Sequence, residues 1–140
     1  MKLHLRSEKS VQQKCMRFNE NHDEPRAASK FGEQKSLAAA TIISTIQGMK
    51  LFFDGQFEGY KTRLPVQLGR APREKFSDPI RKYYKKLLNI INNEVFISGV
   101  WNLLEALPVS GDNHSNENIL VWSWVCLLYT SKPPDKRYSV

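Results

Sequence analysis

Two short apolar runs, Cys15-Met16-Arg17-Phe18 and Met49-Lys50-Leu51-Phe52-Phe53, stand on either side of a segment built from small and apolar residues. No other feature of the sequence constrains the fold as much. Each run stops at turn-forming polar residues, 19–26 after the first and Asp54-Gly55 after the second. Short apolar runs bounded in this way predict strands covered on both faces, as in a parallel sheet. Between them, Leu37, Ala38, Ala39, Ala40, Ile42, Ile43 and Ile46 predict a largely buried helix over about residues 33–46, with Gly48 just beyond it as a stop signal. Small residues let such a helix approach a sheet closely. Strand, long polar loop, buried helix and strand make a βαβ unit, for which a right-handed crossover is expected.

A second helix is legible over residues 78–92. Asp78 reads as its N-cap and Pro79 as its first position. Ile80, Tyr83, Tyr84, Leu87, Leu88 and Ile91 recur at helical spacing, opposite Arg81, Lys82, Lys85 and Lys86. That pattern describes an amphipathic helix lying on a core. Residues 100–107 and 118–127 are then apolar and β-rich, separated by a polar, turn-rich stretch, and predict two antiparallel strands. Trp122 and Trp124 share one face by the period of two.

Size excludes several architectures. The chain has 140 residues, enough for one domain, whereas a complete (β/α)₈ barrel takes about 250. No apolar run approaches the roughly 20 residues of a membrane-spanning helix, so no membrane partner is expected. The N-terminus lacks the apolar stretch of a secretory signal. Cys15 and Cys126 have no framework spacing and read as thiols in a reducing compartment, which sets the expectation of a cytoplasmic protein.

Charge is unevenly spread. Lys and Arg number 21 against 14 Asp and Glu, for a net +7, and residues 61–86 alone hold nine basic and two acidic residues. The surplus therefore resides in one stretch: Lys61, Arg63, Arg70, Arg73, Lys75, Arg81, Lys82, Lys85 and Lys86. Such a cluster can bind phosphates by counterion release, making the chain a small basic module for nucleic acid or another polyanion. The plainer reading is a solvated helix face and loop. Nucleic acid is the less favoured partner, because no aromatics interleave the loop arginines as a stacking platform requires.

In parallel sheets, ligands bind outside the carboxyl ends of the strands. After the first run, that end carries Asn19-Glu20-Asn21-His22-Asp23-Glu24-Pro25-Arg26, and after the second Asp54-Gly55-Gln56-Phe57-Glu58-Gly59. Both clusters are expected on one rim. Carboxylates, amides and a histidine suit sugar hydroxyls, and Asp23 is the candidate for a carboxylate whose bonds tighten as an oxocarbenium-like state develops. A metal held by His22, Asp23 and Glu24 is the competing reading. It is disfavoured, since consecutive residues seldom all point at one ion and no second histidine is near. A third reading is a loop with local caps and salt bridges.

Phe18-Asn19-Glu20-Asn21-His22-Asp23 resembles the F-V-E-N-H-D motif that ends the seventh barrel strand of the α-amylase family of glycoside hydrolases. The run from Gly48 through Phe53 to Asp54-Gly55-Gln56 resembles the family's eighth strand, at fitting spacing. Glu58-Gly59, Leu64-Pro65-Val66-Gln67-Leu68 and the helix around Tyr83 are similar to one bacterial branch of that family. The resemblance covers roughly residues 10–125. It implies an α/β fold: a C-terminal fragment of a (β/α)₈ barrel, its last two strand–helix units lying within residues 1–95. The start of an antiparallel β-domain then occupies 96–130; the run Lys132-Pro133-Pro134-Asp135-Lys136-Arg137 by itself reads as part of a disordered tail over 131–140. The resemblance implies catalytic Asp23 as the transition-state-stabilising carboxylate and His22 as a ligand of sugar hydroxyls, with α-glucan or oligosaccharide as substrate and no cofactor or metal. Asn19 stands where the family carries a β-branched apolar residue, which bears on the packing of the strand end.

Retaining glycoside cleavage also needs a nucleophile and a general acid about 5–5.5 Å apart. In the family these lie on earlier strands, and the 17 residues before Phe18 hold neither. Glu20, Glu24 and Glu58 are assigned no such role by the resemblance. The expectation is a catalytically incomplete piece of a glycosidase, from a truncated frame, a split gene or a decayed copy, inactive alone and completed by a chain carrying the missing strands. A chain with no function of its own is the remaining alternative.

Overall fold

The computed structural model describes residues 2–126. The expected tail over 131–140, and the last residues expected in the final strand and the β-domain, lie outside the described residues.

The chain opens with two short helices, α1 (Lys2–Leu5) and α2 (Lys9–Lys14), before strand β1 (Met16–Arg17). A helical turn, α3 (Ala27–Lys30), leads into α4 (Glu33–Thr45), and strand β2 (Met49–Lys50) follows. The strands pair in parallel, Met16 opposite Met49 and Arg17 opposite Lys50, so the expected strand–helix–strand order holds. The ladder is shorter than the apolar runs. Leu51 N–H extends it by one bond to Arg17 O at 2.9 Å. The turn into β2 depends on Gly48, whose φ is +112° and where a Cβ would lie 2.5 Å from Cys15 O. Any side chain there would push β2 off β1.

Cover is one-sided, contrary to the expectation of strands buried on both faces. Phe52 packs into a cluster with Ala28, Ala40, Ile80, Tyr84 and Leu87 beneath α4 and α5. On the other face, by the period of two, lie the register partners Met16 and Met49, which are 50% and 62% exposed. Only two strands pair in parallel among the described residues, so no barrel is formed. The α4 helix is correspondingly half-buried. Ser36, Ala40, Ile43 and Ser44 face inward, while Ala38 is exposed.

Helix α5 spans Asp78–Ile91, and its buried face is Ile80, Tyr84 and Leu87. Full burial of side chains such as Ile80 and Leu87 contributes about 1.5–3 kcal/mol each. The N-cap is Ser77 rather than Asp78. Ser77 N donates to Glu58 O at 2.8 Å, which holds this residue extended, and its Oγ accepts from Ile80 N at 3.4 Å. Asp78 becomes the first helical residue, where its charge favours the helix dipole.

After a single turn, α6 (Glu94–Ser98), strands β3 (Val100–Leu104) and β4 (Val121–Val125) form the expected antiparallel pair, connected through a 3₁₀ turn over Ser115–Asn118. Trp101 opposes Trp124 and Leu103 opposes Trp122. This tryptophan face packs on Leu5, Ile42 and Ile46 as a second core cluster. Trp124 Nε1 donates to Thr45 O at 2.5 Å, tying β4 to the end of α4.

Candidate functional site

The rim at the carboxyl end of β1 and β2 is organised around one buried ion pair. Glu20 is 1% exposed and Arg26 is 5% exposed, and Arg26 Nη2 lies 3.0 Å from Glu20 Oε1. The contact is an ion pair by distance without hydrogen-bond alignment, so Oε1 has no hydrogen-bond partner among the described residues. Glu20 Oε2 is better served, accepting from Ala27 N at 2.6 Å. Burial pushes the Glu20 carboxyl above its ordinary range, against the opposing pull of that N–H and of Arg26.

Arg26 then reaches across to the second strand. Its Nη2 donates to Asp54 O at 2.8 Å and its Nε to Tyr60 O at 3.4 Å, while its guanidinium sits 5.0 Å from the Phe53 ring centre. Gly55, at φ +80°, lets the chain turn beneath it; a Cβ there would lie 2.6 Å from Arg26 Nη2. The two loops expected on one rim are thus joined through one guanidinium. Below them Gln56 is buried, accepting from Phe53 N at 3.1 Å and donating to Tyr84 Oη at 2.7 Å. Burial raises the Tyr84 hydroxyl above its ordinary range.

His22 and Asp23 occupy the exposed crest of the first loop. Asn21 Oδ1 accepts from Asp23 N at 2.8 Å and Glu24 N at 2.9 Å, an Asx turn that presents both side chains outward. His22 Nε2 lies 3.2 Å from Asp23 Oδ2, with both side chains more than half exposed. Together they offer a ring nitrogen and two carboxylate oxygens to neighbouring hydroxyls. Asn19, in the position of an apolar residue in the resembled family, is half-buried, and its Nδ2 donates to Ser36 O at 3.4 Å. That bond ties the start of the first loop to α4.

Other candidates separate from this pair. Glu20 is sealed beneath the loop, and Glu24 is exposed 3.9 Å from Lys30 Nζ. No group of three His, Cys, Asp or Glu side chains among the described residues is arranged to hold a metal ion. No helix among them is long and apolar enough to cross a membrane.

Two groups that the sequence did not tie to these loops complete the rim. Arg63 Nε donates to His22 O at 3.4 Å. Glu74 accepts Lys61 N at 2.8 Å and Thr62 N at 3.0 Å, closing residues 61–74 into a loop rooted beside the rim. Slight burial works against Glu74 ionisation, but these N–H groups and the Thr62 side chain hold its carboxyl below the ordinary range. No periodicity marks such pairs, since they join loop positions by tertiary contact alone. A cleft of about 270 Å³ lies elsewhere, between α1 and β3–β4. Its cations are committed, Arg6 to Glu105 at 2.7 Å and Lys2 to the carbonyls of Asn116 and Glu117. Comparisons with protein-family models, with curated proteins and with solved structures returned no match.

Proposed function

We propose that these 140 residues are a carboxy-terminal part of an α-amylase-type glycoside hydrolase acting on α-glucans by retaining hydrolysis or transglycosylation. The observation that carries the reading is the exposed His22–Asp23 pair at the carboxyl end of a parallel strand, on a rim shared with the next strand. That is where α/β sheets present their ligands. Asp23 accepts from adjacent sugar hydroxyls, and its bonds tighten as the ring acquires oxocarbenium character, a gain of several kcal/mol in glycosidases. His22 donates to a hydroxyl at the same subsite.

The nucleophile and general acid come from strands outside this sequence, on a preceding segment or a companion chain. Two strands cannot close a barrel, and the exposed Met16–Met49 face and open strand edges are where such strands would join. The purified chain is therefore expected to release no reducing sugar from starch. It is expected to bind maltotriose weakly, with the His22 ring resonances shifting on titration and Asp23→Asn abolishing the shift. A ring that stays silent in the unmodified chain contradicts the reading of the site. Hydrolysis that vanishes in Asp23→Asn contradicts the claim of catalytic incompleteness.

A further inference from the structure

The basic stretch has no part in the function above, and its arrangement is specific. All nine of its lysines and arginines are exposed, and none forms an ion pair among the described residues. The two carboxylates within it do not neutralise it. Glu74 is occupied by backbone N–H groups, and Asp78 sits in the first turn of α5. The loop closed by Glu74 begins directly after Tyr60, whose carbonyl Arg26 holds. Closure fixes Lys61 and Thr62, and the next residue, Arg63, lands with its Nε on the His22 carbonyl.

The guanidinium of Arg63 is thereby placed against the backbone of the loop that carries His22 and Asp23, with no acceptor for its two terminal nitrogens among the described residues. A planar fork of this kind matches a phosphate or carboxylate. Arg70, Arg73 and Lys75 follow along the same loop and its foot, all exposed. A neutral glucan gives these cations nothing to pair with.

We infer that the saccharide taken at this rim is anionic, an α-glucan oligosaccharide carrying phosphate monoesters, with Arg63 contacting the phosphate beside the subsite of His22 and Asp23. The inference rests on the carbohydrate reading of that site and names its substrate class. Lys61 and the loop arginines supply a field that attracts the same charge and weakens with salt.

The test compares three probes with the full 140-residue chain by calorimetric titration: maltotriose, maltotriose bearing one phosphate monoester, and inorganic tripolyphosphate. The phosphorylated sugar is expected to bind about tenfold more tightly than the neutral one at low salt, since a charge-assisted bidentate pair readily supplies that factor. Raising the salt is expected to erase most of the gain. Arg63→Gln should remove the preference for the phosphorylated sugar, and Arg63→Lys should restore part of it. Asp23→Asn should weaken both sugars. Equal, salt-insensitive binding of the two sugars overturns the inference and leaves the carbohydrate site standing. Failure of both sugars to bind overturns the site reading and the inference together. Tripolyphosphate binding that the phosphorylated sugar does not displace makes the basic loop a separate polyanion surface, which also overturns it. Arg63 is exposed and its one hydrogen bond among the described residues is to a carbonyl, so an unchanged thermal melt is expected of both Arg63 variants.

Discussion

Past the carboxyl end of β1 and β2, Glu20 and Arg26 are buried as a pair; within the short ladder, at its last register position, Arg17 is buried opposite half-buried Lys50, and neither joins an ion pair among the described residues. Arg17 is held by neutral acceptors instead: Nε on Gln47 O at 3.2 Å, Nη2 on Gln12 Oε1, and Nη1 2.9 Å from His4 Nε2. Lys50 Nζ donates to Gly48 O at 2.7 Å and to Ile46 O. Burial, with the Arg17 charge adding to it, lowers the Lys50 ammonium to about 8. The rim end thus balances its buried charge and frees His22 and Asp23 to face solvent. The ladder carries like charges at one register position and holds them with neutral acceptors from the segments that precede the strands.

The largest expected effect breaks the balanced end. Glu20→Ala leaves Arg26 as a buried cation without its carboxylate, a loss of about 3–5 kcal/mol on chemical denaturation. Arg17→Met in the ladder is expected to cost clearly less, because it strands no opposite charge. Equal losses would mean that the two regions are not different in kind. Next comes the support beneath the rim. Tyr84→Phe removes the acceptor of buried Gln56 Nε2 and should cost about 1–3 kcal/mol by the same measurement.

The ladder pair should reveal itself by its pH dependence. Lys50 titrates near 8 when folded against 10.5 ordinarily, so over that interval the unfolded chain binds more protons and stability rises with pH. Denaturation midpoints should climb from about pH 8 toward 10, and Lys50→Met should flatten the climb. Tyr84 acts oppositely, since its raised hydroxyl pKa removes stability once pH passes its ordinary range, which confines the clean window to below about 10. The smallest effect on stability belongs to the exposed crest. His22→Ala and Asp23→Asn should each stay within about 0.5 kcal/mol of the unmodified chain, although Asp23→Asn is expected to abolish the maltotriose response.

Much of this was legible in the residues. The α5 helix announced itself through its spacing of Ile80, Tyr84 and Leu87, and the hairpin through alternation around Trp122 and Trp124. Strand order and direction followed from two apolar runs with a helix between them. What escaped was which members of a polar run turn inward. Glu20 and Asp23 are carboxylates in one loop, yet one is sealed under Arg26 and the other stands in solvent. Only the register of the loop on α3, through Ala27 N–H, separates them. Exposure of the Met16–Met49 face was equally hidden, because an apolar run states what a strand tends to bury and not whether a partner is present. The Ser77 cap escaped for a similar reason, depending on a bond to Glu58 across a loop.

The most direct test recovers the native polypeptide from its source with an antibody against residues 60–86. The account predicts α-glucan-cleaving activity in the recovered material, carried either by a polypeptide several-fold heavier than 16.2 kDa or by a co-purifying chain that supplies the missing strands. A lone polypeptide of 16.2 kDa, with no companion chain and no such activity, would contradict it.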